Sequence, residues 1–410
     1  MIGFEPLILF GIILALGLNF VNGLNDASHS IATVVATKAL SPAKAVFFTA
    51  LCNLIGPFLF TTAVAATIGT AIVASDGLTP LSIVVAMGAA IILVFVATRS
   101  GIPISSSHAM VGGLLGAGVA VIGLSAIILP SLTSVMEVAL YGITGALLGA
   151  VALGLFTASF HEDTRFGALL GALCGASLVI PVMMVLGRIQ IGGLPAIVLF
   201  IFISPVLGMV GAFVFDVLIS HLFGHSRRNR MRRIFQPLHV LACLVQATAH
   251  GANDGQHAVG VITALLVASG MLLSFEVPGW VVLTSALAIG LGTCFGGWQV
   301  VDKMAKEITK IRPYQGFCAA TASSAILVAV THAGIPVLLN PCHQRGDHRR
   351  GCNPGEECGA VEGCTRDADC VDHHHPACRC CGVCHVFHCR AFCLPAAGVG
   401  INAHNISLYF

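Results

Sequence analysis

Two short polar stretches interrupt an otherwise apolar chain, and each sets a carboxamide beside a carboxylate: Asn22-Gly23-Leu24-Asn25-Asp26 and His250-Gly251-Ala252-Asn253-Asp254. A histidine follows each Asp by three residues, His29 and His257. A run of small residues comes next, Ser30-Ile31-Ala32-Thr33-Val34 in one copy and Ala258-Val259-Gly260-Val261-Ile262 in the other. Ionisable side chains are costly in hydrocarbon and mark functional sites there. A carboxylate cannot take an anion, but Asp26 and Asp254 can hold a cation or a proton. Asn25 and Asn253 can donate to the oxygens of an oxyanion or accept at a cation. An imidazole titrates near neutral pH, so His29 and His257 are candidate proton carriers, although packing is the commoner role of a buried histidine. The plainest structural alternative makes each Asn-Asp pair a helix cap. Two matched copies favour ion transport instead.

A second element is Gly101-Ile102-Pro103-Ile104-Ser105-Ser106-Ser107-His108. Gly and Pro break a helix, and Ser105, Ser106 and Ser107 then offer hydroxyls and backbone N–H groups at the start of the next one. Such a helix start can cradle an oxyanion, and a simple turn with a cap accounts for it equally well. The element recurs in part, since Val96-Ala97-Thr98-Arg99-Ser100-Gly101-Ile102-Pro103-Ile104 aligns with Ala329-Val330-Thr331-His332-Ala333-Gly334-Ile335-Pro336-Val337. The offset is 228 residues at the Asn-Asp pairs and 233 residues here.

The elements that must position these residues are membrane helices. The chain has 410 residues, of which 56% are hydrophobic and 9% charged, and its mean hydropathy is +0.93. Soluble domains carry about a quarter charged residues. Apolar runs predict spans near 6–24, 44–73, 80–98, 107–129, 134–158, 166–187, 191–219, 238–250, 256–275, 278–299 and 315–337. The first should end in the first motif, and Asn53, Gly56 and Pro57 should break the second. With Glu5 and no basic leader, the first run does not read as a signal peptide. Five arginines fall within residues 227–233; nucleic acid or anionic lipid can use such a run, but a cytoplasmic loop obeying the positive-inside rule is the simpler account. The expected organisation is 1–219 for the first repeat and following helices, 220–237 for a basic cytoplasmic linker, 238–337 for a truncated second repeat and 338–410 for a tail. Duplicated halves with polar, Gly-broken segments in matching places are a signature of secondary transporters, whose sites lie near the midplane.

The doubled motif, with Ile31-Ala32-Thr33-Val34-Val35-Ala36-Thr37-Lys38-Ala39-Leu40 after its first copy, resembles the inorganic phosphate transporter (PiT) family, in which related sulfate permeases are included. Ser204-Pro205-Val206-Leu207-Gly208, Lys306-Glu307-Ile308-Thr309 and Gln315-Gly316-Phe317 are similar to it as well, and the resemblance covers residues 1–337. It implies an all-helical polytopic protein of the cytoplasmic membrane, two inverted repeats with broken helices meeting at a central site, and phosphate symport with sodium or protons. It also implies substrate contacts from Asn25, Asn253, Ser105, Ser106 and Ser107, and cation coupling through Asp26 and Asp254. His250 stands where the first copy has Asn22, so the two positions are not equivalent.

The tail departs from the pattern. Of the 16 cysteines, 11 lie in residues 338–410, and Cys378, Cys380, Cys381, Cys384, His385, His388 and Cys389 are zinc-type ligands at irregular spacing. A one-base shift offers another account. Codons for residues 338–347, read one base later, permit Ser-Ser-Thr-His-Val-Ile-Ser-Gly-Ala, which parallels Ser105-Ser106-Ser107-His108-Ala109-Met110-Val111-Gly112-Gly113. A frameshift near Val337 is the expectation, with a tail of irregular or no fold. The expected partners are inorganic phosphate, a coupling cation and the bilayer, with a homodimer as the assembly considered. Nucleic acid, enzymatic chemistry, organic cofactors and a resident metal are not expected. The rivals are sulfate as cargo, a metal-handling role for the tail, and an intramembrane hydrolase. The last is disfavoured because no second carboxylate lies near either Asp in sequence.

Overall fold

The computed structural model describes residues 5–73, 77–100, 102, 104–159, 164–189, 191, 193–223, 226, 228–296 and 311–336. The Cys/His-rich tail lies outside them, as do Gly101, Pro103 and the side chain of His29. The described residues form twelve α-helices and no strand. In chain order these are α1 (Pro6–Ala36), α2 (Pro42–Leu59), α3 (Ala63–Thr70), α4 (Pro80–Arg99), α5 (Ser106–Ile122), α6 (Leu132–Ser159), α7 (Thr164–Val185), α8 (Gly193–Phe223), α9 (Arg228–Asp254), α10 (Gln256–Ala268), α11 (Gly279–Phe295) and α12 (Pro313–His332). Eight helical stretches are long and apolar enough to cross a bilayer. Their outer faces expose large apolar side chains such as Leu129, Leu140, Leu148 and Phe202. A surface of this kind is soluble in lipid and not in water, so the chain is a multi-pass integral membrane protein.

Proline at the first turn, where no N–H is missed, starts α1, α2, α4 and α12. A reciprocal capping box tightens the start of α4, with Thr79 N donating to Ser82 Oγ at 2.9 Å and Ser82 N donating to Thr79 Oγ1 at 3.1 Å. The main core gathers α1, α3, α4, α5, α10 and α11 around Ile68, Ile83, Met87, Met110, Ile262 and Leu265.

Four expectations need amendment. Helix α1 does not end in the first motif but runs ten residues past Asp26 to Ala36. Nor do the Asn-Asp pairs cap helix starts. Asn25-Asp26 lies inside α1, and Asp254 is the last residue of α9, parted from α10 by Gly255 alone, itself in helical geometry (φ −59°, ψ −27°). The polar side chains find partners on other helices, so they do not compete with their own backbone ladder. The basic stretch is helical from Arg228, as the first turns of α9. The second span is interrupted, but between Leu59 and Ala63: Asn53, Gly56 and Pro57, expected to break it, lie inside α2.

Helices α4 and α12 end in the same way. Ser100 N bonds Val96 O at 3.0 Å and Ile102 N bonds Ala97 O at 2.9 Å; Ala333 N bonds Ala329 O at 3.0 Å and Ile335 N bonds Val330 O at 2.9 Å. Gly334 takes the left-handed φ of 71° that this helix ending requires. The matched bonds at the ends of α4 and α12 repeat one helix ending.

Candidate functional site

Both helix-ending turns deliver carbonyl groups to the Asn-Asp pairs. Asn25 Nδ2 donates to Ile104 O at 2.7 Å, and Asn253 Nδ2 donates to Ile335 O at 3.0 Å. A threonine at the same place in each repeat completes the clamp. Thr98 Oγ1 donates to Asn25 Oδ1 at 3.3 Å, and Thr331 Oγ1 accepts from Asn253 Nδ2 at 3.0 Å. The symmetry is inexact, because Ile335 aligns with Ile102 and not with Ile104.

The two motifs interlock through residues that occupy equivalent positions but differ in type. Asn22 Nδ2 reaches across to Asp254 Oδ2 at 3.1 Å. His250, its counterpart, sets Nε2 at 3.2 Å from Asp254 Oδ2 and 3.6 Å from Asp26 Oδ2. Ligand atoms of Asp26, His250 and Asp254 all fall within 4.8 Å of one another. Sequence spacing offered neither Asp a second carboxylate; the fold supplies one from 228 residues away. Asn53 donates to Thr293 Oγ1 at 2.9 Å and turns its Oδ1 toward His250 Nδ1 at 3.3 Å. In that orientation Nδ1 carries a hydrogen, so a further proton is needed wherever Nε2 bonds the carboxylates.

The serines divide their tasks. Ser105 caps α5 by accepting from His108 N at 3.3 Å. Ser106 donates to Asn22 Oδ1 at 2.6 Å and also faces Asp26 Oδ2 at 3.4 Å. Ser107 Oγ meets His257 Nε2 at 3.3 Å, and that nitrogen stands 4.0 Å from Asp254 Oδ1. The first turn of α5 therefore places the Ser106 hydroxyl beside Asp26 and the Ser107 hydroxyl beside His257, at a helix start whose dipole favours an anion.

Supporting residues that the sequence did not single out hold the interruptions together. Asn19 donates to Gly255 O at 3.1 Å and to Ser285 Oγ at 2.9 Å, and Ser285 donates to Gly255 O at 2.9 Å. Gln256 stitches the Gly255 interruption to the gap between α2 and α3, donating to Thr61 O at 2.8 Å and accepting from Ala65 N at 3.1 Å. Thr98 and Thr331 were findable, because the repeat alignment superposes them. Asn19, Asn53 and Gln256 have no counterpart in it.

Two features decide what the site can do. Asn25, Asp26, Asn253 and Asp254 are each at most 2% exposed, yet no Lys or Arg is buried among the described residues. In addition, Asn253 Oδ1 and Asp254 Oδ1 are buried acceptors without a hydrogen-bond partner. Unpaired oxygens on adjacent residues, one of them on a carboxylate, suit a small cation.

Comparison with known proteins agrees with this architecture. The pattern of the phosphate transporter family matches residues 22–165 and 128–343. A probable low-affinity inorganic phosphate transporter of Rhizobium meliloti is 36% identical over 333 residues, covering 81% of each chain. One of Bacillus subtilis is 29% identical over 329 residues, covering 80% of each. A solved structure described as the sodium-dependent phosphate transporter shares the fold, with a TM-score of 0.55 and 24% identity over 81% of this chain and 86% of that one.

Proposed function

The chain belongs to the phosphate transporter family, and on that premise we propose that it carries inorganic phosphate across the membrane together with a cation. The observation that carries the coupling is the pair of buried carboxylates, Asp26 and Asp254, with no buried Lys or Arg among the described residues. Even with one proton on His250, two carboxylates leave the pocket negative, and an entering phosphate adds further negative charge. Opposite charges about 4 Å apart attract by roughly 4 kcal/mol at an effective dielectric constant of about 20, so like charges without a counter-ion repel by as much. A co-bound cation removes that barrier.

The bond inventory divides the roles. Both Nδ2 hydrogens of Asn253 are engaged, by Thr331 and Ile335, which leaves its Oδ1 to face a cation beside Asp254 Oδ1. Asn25 Nδ2 likewise bonds Asp26 Oδ1 at 2.7 Å and Ile104 O. The phosphate oxygens then take their donors at the start of α5, where an arriving phosphate would draw the Ser106 hydroxyl from Asn22 Oδ1 and meet Ser107 beside it. Ser105 contributes indirectly, as the cap. The matching ends of α4 and α12 support an inverted-repeat design in which two tips approach one site.

The test is uptake of labelled phosphate into vesicles, with sodium and proton gradients imposed separately and sulfate as competitor. Asp26→Asn and Asp254→Asn should each abolish gradient-driven uptake while the protein remains folded in detergent. Normal cation-dependent transport in both variants would refute the coupling role. Stronger displacement of label by sulfate than by unlabelled phosphate would reassign the cargo.

A further inference from the structure

His239 is wholly buried in α9 and takes no part in the site just described. Its Nε2 lies 3.3 Å from Thr33 Oγ1 on α1, and its Nδ1 lies 3.3 Å from Oγ1 of Thr37, the residue that caps α1. Its ring rests against Gly316 of α12, where an added Cβ would come within 2.5 Å of Cε1 and Nε2. One imidazole therefore joins three helices.

That junction ends a polar seam. From Asp26 toward its C-terminus, α1 and its capping residue present Ser30, Thr33 and Thr37, spaced four, three and four residues apart. From Asp254 toward its N-terminus, α9 presents His250, Gln246, Cys243 and His239, spaced four, four, three and four apart. Such spacings keep each set on one helix face. Every member is 9% exposed or less. The two faces meet, with Thr33 Oγ1 3.5 Å from Cys243 Sγ in addition to the His239 contacts. In the other direction from Asp26 the polar face stops at Asn22 and Asn19, and beyond them Leu18, Ala15, Ile12 and Ile8 join Val261 and Leu265 in the main core. Buried polar groups in a membrane interior are costly and mark ion pathways. On α1 they run to a helix end only toward Thr37.

The seam opens toward the basic end of the molecule. Gln236, three residues before His239, donates to Lys38 O at 3.1 Å and accepts from Arg232 Nε at 3.3 Å. Beside it is a cleft of about 360 Å³ lined by Ala39, Leu40, Arg233, Gln236, Pro237 and Val240. Exposed Lys38, Lys44, Arg230, Arg232 and Arg233 identify this end as cytoplasmic by the positive-inside rule.

We propose that phosphate and its cation leave for the cytoplasm along the seam between α1 and α9, and that His239 is the latch that closes it by holding Thr33 and Thr37 at the end of α1. The hydroxyls, Gln246 and the imidazole replace water around the departing ions one turn at a time, and the basic cleft receives the anion. This rests on the transport function proposed above.

Cys243 is a native reporter, buried within the seam between Thr33 and His239. The full-length chain, in right-side-out and inside-out vesicles, is treated with a membrane-impermeant maleimide, and Cys243 modification is quantified by peptide mass spectrometry. Labelling is expected from the cytoplasmic face only. It should be roughly five- to ten-fold faster in His239→Ala, which loses two hydrogen bonds, and near the unmodified rate in His239→Gln, which can restore one. Thr37→Val should fall between them. Labelling from the outer face, or equal rates in all four proteins, would overturn the proposal. Phosphate binding to the purified chain is measured in parallel. Failure to bind with the expected labelling pattern faults the assigned cargo and leaves the seam standing. Binding with Cys243 closed from the cytoplasmic face faults the seam.

Discussion

Helices α2 and α9 touch backbone to backbone beside the site, which makes Gly251→Ala an informative perturbation. A Cβ at Gly251 would stand 2.6 Å from Asn53 Cα and 2.8 Å from Asn53 C, and one at Gly56 would stand 2.5 Å from Ala252 N and 2.8 Å from Gly251 C. Non-bonded carbons settle at about 3.5–4.0 Å, so the methyl group must drive α2 away by roughly 1 Å. No flexible side chain can yield instead, because the opposing atoms are backbone. Asn53 moves with its helix, and its bonds to His250 (3.3 Å) and Thr293 (2.9 Å) lengthen out of range. Overpacking costs about 1–3 kcal/mol, and two weakened buried hydrogen bonds add about 1 kcal/mol each. The expected loss is roughly 3–5 kcal/mol of stability. A 1 Å displacement of positioning groups also predicts phosphate uptake reduced by about a hundred-fold. The assays are thermal unfolding in detergent and initial uptake rate, each beside Gly88→Ala. A Cβ at Gly88 meets nothing within 4 Å, so that helical control should be neutral or stabilised by up to about 1 kcal/mol. If Gly251→Ala matches Gly88→Ala in both assays, the close approach of α2 to α9 and its link to His250 are wrong.

Other outcomes follow from the same contacts. Thr331→Val leaves an Asn253 N–H without its hydroxyl acceptor and should weaken the half-saturating cation concentration in uptake by about ten-fold; Thr331→Ser should restore it, and an unchanged titration would remove Thr331 from the clamp. Asn22→Ala takes away both the donor to Asp254 and the acceptor of Ser106, so the midpoint of thermal unfolding should fall by several degrees, equivalent to about 2–3 kcal/mol. Unaltered melting would show that these bonds do not persist in the membrane. Sequencing the gene across codons 335–345 should reveal a one-base shift at the start of the Cys/His-rich tail; independent clones that read through in frame would establish the tail as genuine.

The sequence by itself determined the solvent and the symmetry. A composition with 9% charged residues admits a membrane interior and excludes a hydrated surface. The 228- and 233-residue offsets disclosed two Asn-Asp pairs and two Gly-Ile-Pro turns, because a duplicated local device leaves its residues in the same order. Local signals also placed the capping role of Ser105 and an interruption in the second span. The tertiary structure decided who meets whom. Asp26 and Asp254 face one another through His250, Asn22 reaches the opposite carboxylate, and Asn53 and Gln256 tie helices nearly 200 residues apart. No periodicity encodes such pairs, since each depends on how packed helices bring remote faces together. The course of α1 straight through Asn25-Asp26 has the same origin. A polar pair reads as a cap when its partners are local, and it becomes the interior of a helix once Thr98, Ile104, Ser106 and His250 supply those partners from other elements.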